Sequence, residues 1–235
     1  MNLAIDSGNS FTKIGFFEKG KLLNRISVNN KVFSEQSIPY LAEKIIISSV
    51  SSIDFSFLKK ENVLELNAKT PVPVKINYQT PAGPGADRVA AICGAFALFP
   101  EEDVVVINAG TCITIDFLSK AGEFAGGTIS PGINLRYKAL NSFTARLPLI
   151  ETQDFAPLTG TSTEEAMAGG VLNGVVFEVA GFINAYKKKY PTSKIILTGG
   201  DSIFFERKLK DFIFVVPDLV LTGLNYILET KRDSN

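Results

Sequence analysis

The stretch Leu3-Ala4-Ile5-Asp6-Ser7-Gly8-Asn9-Ser10-Phe11-Thr12-Lys13-Ile14-Gly15-Phe16-Phe17 decides how this chain folds. An apolar run leads into an acid, glycine and small hydroxyls follow, and a second apolar run begins. The pattern predicts two strands joined by a donor-rich turn, with Asp6 at the tip of the first and Gly8 where backbone bends or approaches a ligand. Such a tip suits a phosphate and its metal. Backbone N–H groups and the Ser10 and Thr12 hydroxyls can donate to phosphate oxygens, Lys13 adds a positive charge, and Asp6 can hold Mg²⁺ directly or through water. Taken alone, the same residues also make an ordinary hairpin.

The stretch recurs. Val104 to Phe117, VVVINAGTCITIDF, aligns with it at a constant offset of about 102 residues, placing Asn108 on Asp6, Gly110 on Gly8, Thr114 on Thr12 and Gly122 on Gly20. Further on, Lys194 to Gly200, KIILTGG, resembles Lys44 to Val50, KIIISSV, a continuous apolar run suited to a buried parallel strand. Each copy therefore reads as strand, turn, strand, turn, strand, then helices and a parallel strand, which together make a duplicated α/β protein. In the first copy, Lys21 to Val28 is the third strand. Ser34 to Leu41 is weakly helical and interrupted by Pro39, and Val63–Leu66 and Val72–Tyr78 are short strands with prolines that suit an edge. A rigid Pro81-Ala82-Gly83-Pro84-Gly85 loop then leads into an alanine-rich helix, Ala86 to Phe99, stopped by Pro100. The expected domains are 1–100 and 101–235.

The second copy inserts helix candidates at Gly132–Asn141 and Thr163–Tyr186. For the latter, Thr163 can serve as N-cap, Glu164 and Glu165 sit in the first turn, and Ala166, Val171, Val175 and Val179 recur at helical spacing. Its glycines, Gly169, Gly170, Gly174 and Gly181, suggest close packing on another helix, such as one from a partner chain. Phe212–Val216 reads as a last strand and Leu219–Thr230 as a last helix.

Composition narrows the chemistry. Lysine plus arginine equal aspartate plus glutamate, 24 each, so nothing points to a nucleic-acid surface. The longest apolar runs look strand-sized and no basic-then-apolar leader is present, so the expectation is a cytoplasmic protein without a membrane span. Histidine is absent, which leaves proton transfer to Asp, Glu, Lys, Tyr or Cys. Two cysteines, Cys93 and Cys112, each lie in an apolar run and read as small core residues.

An acid or amide at each first-strand tip puts two hydroxyl-rich turns on a nucleotide cleft, and Thr198-Gly199-Gly200 could let a flat adenosine lie close to backbone. There is no G-x-x-x-x-G-K-[ST], and Gly83-Pro84-Gly85 leads to Arg88 where a dinucleotide fingerprint needs a third glycine. Asp87-Arg88 is the pair that could run a reaction. Asp87 could accept a proton from an alcohol while Arg88 holds an anionic or carbonyl group bidentately. The alternative is a helix-capping acid beside a surface arginine.

Asp6-x-Gly8-Asn9-Ser10, Tyr78, Gly85-Ala86-Asp87-Arg88, Asn108-Ala109-Gly110-Thr111, Gly126-Gly127-x3-Pro131-Gly132, Thr144-Ala145-x-Leu147-Pro148 and Gly160-x2-Thr163-x2-Ala166-Met167, in this order, resemble the type III pantothenate kinases over nearly the whole chain. The resemblance implies a duplicated ribonuclease H-like fold of the acetate and sugar kinase, Hsp70 and actin superfamily. It also implies a homodimer, and transfer of the ATP γ-phosphoryl to pantothenate in the first step of coenzyme A biosynthesis. Carried over by position, Asp6, Ser7, Gly8, Asn9, Ser10, Phe11, Thr12 and Lys13 would bind ATP phosphates and Mg²⁺, with Thr111 holding phosphate from the second half. Tyr78, Gly85, Ala86, Asp87 and Arg88 would contact pantothenate, with Asp87 as proton acceptor, and Thr163 would complete the pocket across the dimer. One departure stands out: Asn108 replaces the aspartate with which the family binds a monovalent cation, K⁺ or NH₄⁺, so a weaker or altered cation dependence is expected. Two alternatives fit the same residues, a kinase of another small acceptor and a noncatalytic nucleotide-binding regulator.

Overall fold

The computed structural model describes residues 1–38, 42–153, 155–209 and 213–231; the expected break at Pro39 and the start of the last strand at Phe212 lie outside them. The chain forms two compact units, one of Met1–Glu102, Asp116–Gly126 and Asp218–Asn235, the other of Asp103–Ile115 and Gly127–Pro217.

In the first unit, β1 (Asn2–Ser7), β2 (Phe11–Glu18), β3 (Lys21–Asn29), β4 (Lys44–Ser49) and β5 (Val63–Glu65) form a sheet of order β3-β2-β1-β4-β5. β1 runs antiparallel to β2, pairing Asp6 with Lys13 and Ser7 with Thr12, and parallel to β4, pairing Asp6 with Ser48. Strand alternation divides the apolar residues between two faces. Leu3, Ile5, Ile14, Ile45 and Ile47 share one cluster with Phe33, Phe55 and Phe57. Ala4 and Ile46, on the opposite face, are also fully buried.

Two helices of this unit, α1 (Ala86–Leu98) and α5 (Leu219–Thr230), pack on each other, and α5 also packs on β1 and β4. Their contact is glycine-deep: a Cβ added at Gly223 would lie 1.7 Å from the Ala90 carbonyl oxygen, and one at Gly94 would lie 2.6 Å from that of Leu219. This fit draws the last helix of the sequence into the unit built by the first hundred residues, so the two units interleave along the chain.

The second sheet contains β6 (Lys75–Ile76), β7 (Val104–Ala109), β8 (Cys112–Leu118), β9 (Glu123–Pro131), β10 (Lys194–Thr198) and β11 (Phe214–Val215) in the order β11-β10-β7-β8-β9-β6. Without β6, this order repeats that of the first sheet, strand for strand. β7 pairs with β10 in parallel, matching Asn108 to Thr198 as Asp6 matches Ser48. The β2–β3 and β8–β9 turns both place glycine in the left-handed region, Gly20 at φ +77° and Gly122 at φ +74°, where a Cβ would be strained. The duplication read from sequence is thus present in register and in backbone conformation.

The second unit also carries α2 (Ile133–Ser142), α3 (Thr163–Lys189) and α4 (Ser202–Lys208), the last not expected from the sequence. α3 corrects two expectations. Its N-cap is Ser162, not Thr163, and the Ser162 hydroxyl accepts from the Glu165 N–H at 3.2 Å. Apolar runs are also not confined to strand length: α3 spans 27 residues with a mean hydropathy of 1.6 over an 18-residue stretch, long and apolar enough to cross a membrane by length and composition. Part of that apolarity is used inside the unit, where Val171, Leu172, Val175, Val179 and Ile183 are buried. Gly170, Gly174 and Gly181 have no neighbour within 4 Å of an added Cβ and mark an open face.

Candidate active site

The first unit assembles most of the predicted site. The opening turn is held by a chain of hydroxyls. Thr12 donates its single proton to Asn30 Oδ1 at 2.9 Å, so in the 2.8 Å contact between Ser7 and Thr12 the donor is Ser7, and in the 2.7 Å contact between Ser7 and Ser51 it is Ser51. Asn30 Nδ2 in turn donates to the Gly8 carbonyl at 2.7 Å. The Thr12 hydroxyl proton here stiffens the turn through Asn30. Asn9, Ser10 and Phe11 are exposed at the tip. A Cβ added to Gly8 would meet only the Phe11 carbonyl oxygen, at 3.5 Å, so the protein's own packing leaves room for a side chain there, and a closely approaching ligand is the remaining reason for glycine.

Asp6 stands at the end of this turn in an unusual electrostatic state. Burial first and the charge of Asp87 second push its carboxyl from 3.8 to about 6, against a downward pull from Lys13. Asp6, on β1, thus feels the charge of Asp87, in the first turn of α1. Asp87 is placed by the loop before it: Gly83 takes φ +71°, Gly85 caps the helix, and a Cβ at Gly85 would lie 2.7 Å from Asp87 Oδ1. The helix terminus favours an anion here.

Arg88 is buried, only 4% exposed. Its Nε donates to both carboxylate oxygens of Asp116 at 3.1 Å, its Nη2 also donates to Asp116, and its Nη1 donates to the Tyr78 hydroxyl at 3.3 Å. The guanidinium carbon lies 5.7 Å from the ring centroids of both Tyr78 and Phe124, within cation–π range. Burial alone would push the Arg88 guanidinium down, but the hydrogen bonds and charge of Asp116, followed by Tyr78, hold it above its ordinary value. One of the two edges that a bidentate substrate clamp could use, Nε with Nη2, is thus already occupied by Asp116. A cavity of about 440 Å³, lined in part by Ile76, Tyr78, Gly83, Ala86 and Val89, adjoins the Tyr78 ring.

The second unit holds the other predicted residues. Asn108 ends the β7 pairing beside the β10 turn. A Cβ at Gly199, which has φ +95°, would lie 2.1 Å from the Ala109 carbonyl oxygen and 2.7 Å from Asn108 Oδ1. Thr111 is exposed on a turn clamped to the start of α2, where the Gly132 N–H donates to the Thr111 carbonyl at 3.0 Å. Thr163 is exposed at the first turn of α3. Burial also raises Asp201, which follows the two glycines of the β10 turn.

Sequence reasoning missed Asp116, Asn30 and Ser51. Asp116 was the most detectable, because an acid inside the apolar strand CITIDFL must find a buried cation. The cysteines differ from each other: Cys93 is buried, its thiol pushed up to about 12 by desolvation, whereas Cys112 is exposed, contrary to the core placement expected for both.

The duplicated strand order and the repeated strand-tip turns are those of the sugar kinase and actin-like ATPase fold. The structure is similar to a protein described as a Baf family transcriptional activator from Campylobacter jejuni (TM-score 0.68, 25% identity, 98% of this chain and 99% of that one). It is also similar in fold to the activator of the 2-hydroxyisocaproyl-CoA dehydratase from Clostridium difficile with bound ADPNP (TM-score 0.55, 11% identity, 99% and 96%). The profile of the type III pantothenate kinase family matches residues 2–185. A type III pantothenate kinase of Cytophaga hutchinsonii is 44% identical over 233 residues, covering 97% of this chain and 98% of the relative. The chain belongs to the type III pantothenate kinase family, and its activity is that of an ATP-dependent kinase acting on pantothenate.

Proposed function

We propose that Asp87 is the base that accepts the proton of the pantothenate primary hydroxyl as it attacks the γ-phosphorus of ATP, and that Asp6 is the Mg²⁺-binding carboxylate. The observation that carries this reading is the electrostatic coupling of the two acids. Burial, with the charge of Asp87 adding to it, raises the Asp6 carboxyl to about 6, a state that a bound cation would relieve. Among the described residues there is no cluster of three His, Cys, Asp or Glu side chains able to hold a metal, so Asp6 would share the ion with phosphate oxygens and water. When bound, Mg²⁺ neutralises charge on the phosphates. The chain's own part is positioning. Backbone N–H groups from Gly8 to Phe11, with Ser10 and Lys13, would hold phosphate in the first unit and Thr111 in the second. Tyr78, Gly85, Ala86 and Arg88 would orient the acceptor so that its hydroxyl meets Asp87.

Three further parts of the reading go with it. The halves 1–100 and 101–235 are the two copies of one duplicated domain. Thr163 completes the acceptor pocket from a second copy of the chain. This is supported by an open apolar groove of about 850 Å³ lined in part by Leu140, Phe143, Thr163, Met167 and Val171, and by Phe143 and Phe177 exposed at 87% and 63%. Asn108 offers a monovalent cation an amide oxygen without charge, so K⁺ or NH₄⁺ stimulates weakly. The protein acts in the cytoplasm on soluble substrates.

A coupled ADP-release assay with pantothenate and a panel of other small alcohols tests the reaction. Turnover that ignores pantothenate would defeat the reading. Asp87→Asn should lower kcat by about two orders of magnitude or more while ATP binding is kept, and near-normal turnover would remove Asp87 from its role.

A further inference from the structure

Arg88 is the cationic residue of the proposed acceptor segment Gly85–Arg88, and its surroundings leave it little freedom. It has five N–H donors. Asp116 takes Nε and one donor of Nη2, Tyr78 takes one donor of Nη1, and the Tyr78 and Phe124 rings both lie within cation–π range of the guanidinium. Asp116 is itself 1% exposed, so it cannot touch a substrate, yet it engages the residue that follows the proposed base.

We propose that Asp116 is the positioning residue of the acceptor site: by holding the Nε edge of Arg88 it fixes the orientation of the remaining Nη1 and Nη2 donors, which with the Tyr78 hydroxyl would meet the carboxylate of a small carboxylated alcohol. The inference rests on the kinase reading above. Two consequences follow from the geometry. The acceptor's anion is met by a tyrosine and the Nη end of a guanidinium whose Nε edge is closed to it by Asp116. Asp116 also cancels the charge of Arg88, so the acceptor carboxylate enters a site with little net positive charge, and recognition depends on orientation more than on attraction.

A purely structural ion pair and a positioning one separate in kinetics. Removing one partner of a buried pair also destabilises the fold, so two variants are needed. In Asp116→Asn the carboxylate is lost while the side-chain shape is kept. In the double variant Arg88→Met with Asp116→Leu, both charges are replaced by apolar groups of similar volume, a swap that buried ion pairs tolerate. The wild type is assayed first: absence of pantothenate-dependent ADP release there overturns the kinase reading itself and this inference with it. Given that activity, the expected result for Asp116→Asn is a KM for pantothenate raised by roughly tenfold or more, the value of one charge-assisted hydrogen bond, with the KM for ATP within about twofold of wild type. The double variant should unfold at a urea midpoint near that of wild type and still show the raised KM for pantothenate. A folded Asp116→Asn enzyme with wild-type KM values and only a smaller active fraction would overturn the proposal. So would a double variant that recovers the wild-type KM, since then the pair serves stability alone.

Discussion

Replacing Asp6 by asparagine should stabilise the metal-free protein at neutral pH while abolishing its activity. In the folded state the Asp6 carboxyl is shifted from 3.8 to about 6, so between those values the native state binds the proton that the unfolded chain releases. Stability contributed by protonation is fully present below about pH 4 and is lost as pH rises through 6. At about 1.4 kcal/mol per pKa unit, the ionised carboxylate costs the fold up to about 3 kcal/mol at pH 7.5. Asparagine never ionises and escapes that cost. For a chain of 235 residues, roughly 2–4 °C of Tm per kcal/mol gives an expected gain of up to about 10 °C. The assay is thermal and urea unfolding of both proteins in EDTA at pH 5.0 and 7.5, where the variant-minus-wild-type difference isolates Asp6 from every other titrating acid. The gap should be wide at pH 7.5 and roughly half as large at pH 5.0, and Asp87→Asn, which removes the second cause of the shift, should narrow it. A variant no more stable than wild type at pH 7.5, or a gap of equal size at both pH values, would refute the reasoning.

Gly223→Ala places a methyl 1.7 Å from the Ala90 carbonyl oxygen, and because backbone must move to admit it, unfolding free energy should fall by about 3 kcal/mol or more in urea titrations. Asn108→Asp should convert a weak K⁺ response into a steep, saturable one when K⁺ is titrated at fixed ionic strength; a wild-type enzyme that already requires K⁺ absolutely would contradict the assigned role. Phe177→Glu, on the exposed face of α3, should shift sedimentation from dimer to monomer and lower turnover with it, whereas an unaltered dimer would place the partner elsewhere.

How much of this was legible beforehand depends on whether the signal was local. The strand-tip turns, their spacing and the glycines at positions 20 and 122 announce the duplication, because backbone conformation is dictated by residues adjacent in sequence. Asp87 was legible for the same reason, standing behind a Gly/Pro loop at a helix start. What could not be read locally was the fate of side-chain donors. Thr12 has a hydroxyl in a phosphate-like turn, but whether it faces a ligand or Asn30, 18 residues on, is settled by β3. Arg88 next to a candidate base looks like a substrate clamp until β8 brings Asp116 to it from 28 residues away. The placement of α5 was equally invisible, since nothing in LVLTGLNYILET says that its glycine fits the one in α1.

The partly buried Asp6 and the buried Asp116 of the first unit work in opposite senses, and the contrast bears on how binding and stability are linked. Asp116 is matched by Arg88 and completes a neutral pair, so the arginine nearest to Asp87 adds little positive potential to the site. Asp6 is left with Lys13 as its named cationic relief and with Asp87 working against it. On the proposed role of Asp6, a bound cation would offset the cost that burial and Asp87 impose on its ionisation, and that free energy would appear as affinity for the metal-bound phosphate, which is why the predicted stabilisation of Asp6→Asn and its predicted loss of activity have a single cause.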